Sequence, residues 1–165
     1  MRGLSDHEKK ILQYCYRRRE MVERKELVVY VSGLAEGHRI QWFDERWLRP
    51  EEKRIYTRVR SAVSRSLRIL FEQGYIDIGN EGTYGEGIKT YYRRIWKAQQ
   101  NKSYWLGEYS PEFIERTIAF SKEIMETKDF DFAKEQLGGK IELVGLTEEG
   151  VAKARELEEG PTSKV

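Results

Sequence analysis

The sequence contains little cysteine, histidine or proline, and it has no long apolar run. Its single cysteine, Cys15, excludes an internal disulfide bond and any metal site built from several thiolates. Its two histidines, His7 and His38, lack the close spacing of a zinc-peptidase motif. No segment approaches the roughly 18 consecutive apolar residues of a membrane helix, and the first ten residues lack the apolar core of a signal peptide. We therefore expect a cytoplasmic protein that needs no cofactor or metal and does not contact a membrane.

The candidate catalytic groups form no recognisable constellation. Residues 79–87 are rich in glycine, but they lack the Gly-Lys-Ser/Thr ending of a phosphate-binding loop, and their two glutamates would repel a phosphate. Cys15 falls on the apolar side of a predicted helix, which favours a buried and unreactive thiol. We predict that the protein is not an enzyme and that residues 79–87 form a flexible turn or loop.

Charged residues make up 35% of the chain, and they are unevenly distributed. Residues 1–102 carry 22 basic and 14 acidic side chains, whereas residues 103–165 carry 8 basic and 14 acidic ones. Such a polarised molecule can present its basic part to nucleic acid while its acidic part stays in solvent. A simple drift of charge along the chain would give the same totals, so the net charge of +2 does not decide for DNA.

The most informative stretch is residues 50–74, which has no glycine or proline between Pro50 and Gly74. Proline suits the first position of a helix, and Gly74 should end it because glycine adopts the left-handed conformation without steric cost. At about 100° per residue, one side of this helix is apolar and the other polar. The apolar side comprises Ile55, Val59, Ala62, Val63, Leu67 and Leu70. The polar side comprises Arg54, Arg58, Ser61, Arg65 and Arg68, which favours an anionic partner.

Capping residues and polarity patterns predict the remaining elements. Ser5 and Glu8 form a predicted capping box for a helix that ends near Arg19, and Ser110 precedes a helix that runs to about residue 127. The other predicted elements are a helix over 23–31 with a strand as its competitor, an aromatic loop over 32–49 with a short helix near 44–48, a strand over 75–78, a short helix that ends at Gly138, a strand over 140–146, a helix over 148–158 and a disordered tail over 160–165.

Residues 88–102 hold five basic and no acidic side chains, interleaved with aromatic ones. Core packing at strand spacing is the favoured interpretation of Tyr91, Tyr92 and Trp96. Stacking on bases or wedging between them is the alternative, because aromatic and basic side chains together suit that role.

Two segments carry a resemblance to a known family. Residues 61–76, SAVSRSLRILFEQGYI, join a helix to a strand, and residues 144–150, VGLTEEG, join a strand to a helix. Together they resemble the winged helix-turn-helix DNA-binding domains, including the MarR-like regulators. The resemblance implies a mainly α fold with a small antiparallel β wing (α+β), formed by residues 1–78 and 140–160. About sixty residues separate the two wing strands, so we expect residues 79–139 to form a helical insertion between them.

The resemblance also implies a function. It implies a sequence-specific protein that binds double-stranded DNA, a transcriptional regulator that reads the major groove with the helix over 50–74 and acts as a homodimer. The rear helix of the insertion would pair with the second subunit or pack on its own domain. The predicted DNA contacts are Arg54, Arg58, Arg60, Ser61, Ser64, Arg65 and Arg68 on the helix, and Lys89, Arg93 and Arg94 in the insertion.

Three alternatives stay open. The fold does not determine the function, so the domain could be a scaffold for protein–protein interaction. A plasmid or viral replication-associated DNA binder would show the same residues and differ in its target sequence. The basic side of the helix could also be an ordinary solvated surface.

Overall fold

The computed structural model describes residues 3–159, which form seven α-helices and three short β-strands. In chain order they are α1 (Asp6–Arg18), β1 (Val22–Glu23), α2 (Arg24–Ser32), α3 (Pro50–Glu72), β2 (Ile76–Gly79), α4 (Ile88–Gln99), α5 (Pro111–Glu126), α6 (Phe130–Gln136), β3 (Leu143–Leu146) and α7 (Glu148–Glu159). The protein is thus mainly helical with a small antiparallel sheet, as predicted. The predicted disordered tail over 160–165 lies outside the described residues.

The sheet places β3 in the centre, with β1 on one side and β2 on the other, both antiparallel to it. Ile76 pairs with Leu146, and Gly79 pairs with Leu143 at the other end of the β2–β3 pair. Residues 80–142 therefore leave the sheet and return to it at the same end. The sequence did not predict β1, because a strand of two residues is too short for an alternating pattern.

Helix α3 begins and ends where its sequence predicted. Glu52 accepts a hydrogen bond from the backbone N–H of Arg49 at 2.9 Å, which satisfies one donor that precedes the first turn. At the other end Gly74 adopts φ +84°, and the N–H of Tyr75 donates to the carbonyl of Leu70 at 3.0 Å. This is the glycine-dependent ending that the sequence predicted.

The buried side of α3 is rotated from the predicted one. Val63, Leu67 and Leu70 are buried as predicted, whereas Ile55, Val59 and Ala62 are only half-buried. Helices α1 and α2 and strand β2 pack against α3, and the buried side includes the aromatic residues Tyr56 and Phe71.

A single cluster of buried apolar side chains runs through the protein. Ile11, Leu27 and Ile78 represent α1, α2 and β2 in it. The segment between β2 and β3 contributes Ile88, Ile124, Phe130, Ala133, Leu137 and Ile141. Helix α4 packs on β2 and α5, and α6 packs on α3, so this segment shares its core with the rest of the chain.

One local prediction after β2 needs correction. Residues 88–99 form helix α4, so strand spacing was the wrong basis for the packing of its aromatic residues. Residues 79–87 form a turn, as predicted, and this turn contains the 3₁₀ helix Glu81–Thr83. The amide of Asn80 anchors this turn by donating to the carbonyls of Leu137 and Lys140, each at 2.8 Å.

The segment between α2 and α3 matches its prediction in part. The 3₁₀ helix Glu45–Trp47 lies where a short helix was predicted. Phe43 is buried and contacts Tyr56 of α3, with 5.7 Å between ring centroids, which ties the segment to the core. Trp47 contacts the ring of Phe43, with 6.0 Å between centroids, although it remains 48% exposed. Trp42 is 71% exposed and does not serve this purpose.

Candidate nucleic-acid interface

Helix α3 presents a polar sector on the side opposite its buried residues. Arg54, Arg58, Ser61 and Arg65 are exposed, and Ser64 beside them is half-buried. At 100° per residue the first four fall within a sector of about 60°. We call these four residues the α3 polar sector.

The arginines of the α3 polar sector have no carboxylate partner in the part of the chain that the structure describes. Within residues 3–159, no ion pair involves Arg54, Arg58 or Arg65. Many other arginines are engaged with acidic side chains of their own chain: Arg17, Arg18, Arg46, Arg49, Arg68 and Arg94. The three guanidinium groups of the sector therefore offer their charge and their hydrogen-bond donors to an external anion.

Arg68, the last predicted DNA contact on α3, has an internal partner. Its Nη2 donates to Asp131 of α6 at 2.8 Å, and its guanidinium lies 4.8 Å from the centroid of the Phe130 ring. The hydrogen bond from Arg68 lowers the pKa of Asp131. In this position Arg68 joins α6 to α3.

Arg60, also a predicted contact, lies on a different side of α3. It is roughly 100° away from the nearer edge of the polar sector when residues are placed at 100° steps. There it lines a hollow of about 240 Å³ together with Arg24, Tyr56 and Lys140. The structure therefore does not bring Arg60 together with Arg58 and Arg65.

Of the predicted contacts in the insertion, Lys89 is half-buried, whereas Arg93 and Arg94 are exposed. The Nζ of Lys89 lies 4.5 Å from the centroid of the Phe71 ring, and burial lowers the pKa of this lysine. Arg94 donates to Glu86 at 2.8 Å and lies over the ring of Tyr91. The positive charges of Lys89 and Arg94 thus interact with neighbouring side chains of the same chain.

The start of α3 is held by the buried carboxylate of Glu52, whose contact with His38 the sequence did not reveal. Glu52 accepts hydrogen bonds from the backbone N–H and the Nε of Arg49, and its other oxygen contacts Nε2 of His38 at 2.9 Å. The Arg49 bonds and the His38 contact lower the pKa of Glu52 from its ordinary value of 4.5 to about 2. His38 is fourteen residues away, so only the Arg49–Glu52 spacing carried a local signal.

Asp77 of β2 was also missed, although it positions the basic helix α4. Its carboxylate accepts hydrogen bonds from the backbone N–H groups of Lys89 at 3.1 Å and Thr90 at 3.3 Å. Burial raises the pKa of Asp77, and these backbone hydrogen bonds oppose that shift. Its place in an alternating strand pattern gave no hint of a role in capping a helix.

Two further properties concern sites of other kinds. Cys15 is buried, and burial raises the pKa of its thiol to about 12, so the thiolate is scarce at neutral pH. Across residues 3–159 no three His, Cys, Asp or Glu side chains are grouped as metal ligands would be. No helix in the same part of the chain combines the length and the apolar character needed to cross a membrane.

The chain matches no protein-family model, no curated protein and no solved structure. Its function is therefore argued from its own residues.

Proposed function

We propose that the protein binds double-stranded DNA through the α3 polar sector. The observation that carries this proposal is the set of three arginines, Arg54, Arg58 and Arg65, that face solvent without a carboxylate partner in the described chain. A helix that enters the major groove needs an apolar back that holds it on the body and a polar front that meets bases and phosphates. Helix α3 has both.

We further propose that residues 1–78 and 140–160 form a winged helix-turn-helix domain. The order α1, β1, α2, α3, β2, β3 and the central place of β3 in the sheet support this assignment. In it, β2 and β3 are the wing strands, and residues 80–142 replace the short loop at the tip of the wing. A transcriptional regulator in the cytoplasm is the role that such a domain suits best.

The position along α3 suggests what each residue of the sector binds. The N-terminal part of a recognition helix is the part that reaches base edges. Arg58 and Ser61 are therefore assigned to bases, where arginine can bind guanine through two hydrogen bonds. Arg65 lies further along the helix and is assigned to the phosphate backbone.

The proposal is tested by comparing matched variants. Arg58→Ala and Arg65→Ala should each weaken binding to duplex DNA, and losing a phosphate contact should lower the slope of log affinity against log salt by about 1. Lys122→Ala on α5 and Lys134→Ala on α6 also remove one exposed positive charge each, and they should change affinity much less. Fluorescence polarisation against a pool of random duplexes, over a range of salt concentrations, measures both quantities.

The same titration contains the result that would overturn the proposal. Wild-type protein that shows no salt-sensitive binding at low ionic strength does not use a basic surface on DNA. If the two pairs of variants have equal effects, α3 is not the DNA-binding surface, and general charge attraction accounts for the binding. Selection of binding sites from the random pool then shows whether the site is specific and whether it is palindromic.

A further inference from the structure

Helix α5 buries very little of its surface. Of its 16 residues only Ser121 and Ile124 are buried, and α4 is the element against which it mainly packs. It carries large apolar side chains on the outside, where Phe113 remains 42% exposed and Phe120 41% exposed. A helix of this length is marginal alone in water and derives its stability from packing.

The exposed apolar residues of the hairpin formed by α4 and α5, and of the segments next to it, form two groups, one at each end of the hairpin. Tyr84 contacts Tyr91, and Tyr92 contacts Phe120, with 5.9 Å and 6.3 Å between ring centroids. At the other end Tyr109 stacks on Phe113 with 5.3 Å between centroids. We call the exposed members the aromatic face: Tyr84, Tyr104, Leu106, Tyr109, Phe113 and Phe120.

The aromatic face is large enough for a stable interface. Its six side chains are between 41% and 81% exposed. At roughly 200 Å² for each large side chain, they expose on the order of 700 Å². A standard protein–protein interface buries about 800 Å² on each partner, and a monomer seldom leaves an apolar patch of this size uncovered.

The two helices of the hairpin have opposite charge. Helix α4 carries four basic residues and no acidic residue. Helix α5 carries four glutamates, one arginine and one lysine. One copy of the hairpin therefore holds both halves of a complementary pair, which is what an interface between identical surfaces requires.

We propose that the aromatic face binds a second copy of this chain, with α4 of one copy beside α5 of the other. A two-fold axis then brings the apolar side chains of both copies together and sets each basic α4 against an acidic α5. The proposal goes beyond DNA binding and stands without it, because the interface lies on α4 and α5 and not on α3.

The first experiment measures the mass of the protein in solution without DNA. Sedimentation equilibrium at micromolar concentration should give twice the monomer mass of 19.6 kDa. The double variant Leu106→Glu/Phe113→Glu should halve the measured mass, because four carboxylates would meet in an apolar interface. Trp42→Glu is the matched control, since it adds a charge at another exposed aromatic residue and should leave the mass unchanged. Far-UV circular dichroism verifies that each variant is folded.

The second experiment tests the pairing of the two helices by reversing charge. Arg93→Glu/Arg94→Glu/Lys97→Glu changes the net charge of α4 from +4 to −2, and Glu112→Lys/Glu123→Lys changes that of α5 from −2 to +2. Each of these two variants alone should be largely monomeric, because like charges then face each other. An equimolar mixture should recover the dimer mass, since both contacts in the mixed dimer regain opposite charges.

Three outcomes overturn the proposal. A wild-type monomer at the highest soluble concentration excludes the interface. A dimer that survives Leu106→Glu/Phe113→Glu uses another surface. A monomer that binds oligothymidine, and loses that binding in Phe113→Ala, uses the aromatic face for stacking on single-stranded bases. None of these results bears on duplex binding by α3, which the Arg58 and Arg65 variants test separately.

Discussion

At the scale of single residues, the start of α4 depends on two residues that lie ten positions apart in the sequence, Asp77 and Gly87. The N-cap residue is Gly87, which has no side chain to accept the N–H groups of the first turn. Asp77 accepts two of these groups from the neighbouring strand β2. A Cβ atom at position 87 would collide with the carboxylate of Asp77. The helix therefore needs glycine at 87 because aspartate occupies the space beside it.

The substitution Gly87→Ala tests this arrangement. It should lower the free energy of unfolding by about 1–3 kcal/mol, the usual cost of inserting a methyl group into a filled space. Urea denaturation followed by far-UV circular dichroism measures the change. Gly37→Ala is the control, because nothing lies within 4 Å of a Cβ atom at that position. Equal stability of the two variants would show that Asp77 moves aside without cost.

At the scale of elements, α3 is the one whose position decides the proposed function. Its ends are set by short-range chemistry at Pro50 and Gly74. Its angle and rotation are set by what it packs against, since Phe43 and the Glu52–His38 contact hold its first turns. The α3 polar sector keeps its orientation only while these contacts hold.

The low pKa of Glu52 predicts that the free energy of unfolding depends on pH. Its pKa in the folded protein is about 2, below the ordinary value of 4.5, so the unfolded chain binds the proton more tightly. This carboxylate therefore stabilises the fold above about pH 4.5, and its contribution is lost as the pH falls towards 2. Glu52→Gln should be less stable than wild type at neutral pH, and the difference should shrink over this range.

Urea midpoints measured between pH 2 and pH 7 provide the test. Glu51→Gln is the matched control, because Glu51 is the neighbouring carboxylate and its side chain is 65% exposed. Its difference from wild type should be small and should vary little with pH. A Glu52→Gln difference that stayed constant down to pH 2 would contradict the assignment of the low pKa to this residue.

At the scale of the whole molecule, the segment between β2 and β3 belongs to the same core as the rest. Ile88 and Ile124 are fully buried in the cluster that also contains Ile11 and Leu67. Asn80 and Arg68 add polar contacts to this shared core, through the carbonyls of residues 137 and 140 and through Asp131. We therefore expect residues 80–142 to unfold together with the remainder of the chain.

Two single-tryptophan variants test this cooperativity. One keeps Trp105 in the segment between β2 and β3, and the other keeps Trp47 in the rest of the chain, with the remaining tryptophans changed to phenylalanine. The fluorescence of both should follow a single urea transition with the same midpoint as far-UV circular dichroism. An earlier transition of Trp105 would show that the α4–α5 hairpin unfolds on its own.

The fold could be predicted where its signals are local. The starts of α1, α5 and α7 follow from Ser5, Ser110 and Thr147, each of which accepts a hydrogen bond from the backbone of its own helix. Helix α4 was missed because its cap comes from Asp77, twelve residues before Lys89. The orientation of the α3 polar sector followed from periodicity, but the pairing of Arg68 did not, since Asp131 lies 63 residues further along the chain.

Local sequence was enough to specify the helical segments with local caps, the two-sided nature of α3 and the opposite charges of α4 and α5. Each of these properties depends on residues within a few turns of one another. The tertiary structure alone decided which arginines stay open to solvent, where β1 pairs and which aromatic residues remain uncovered. Those outcomes depend on packing and hydrogen bonds between residues far apart in the chain, and no local pattern specifies them.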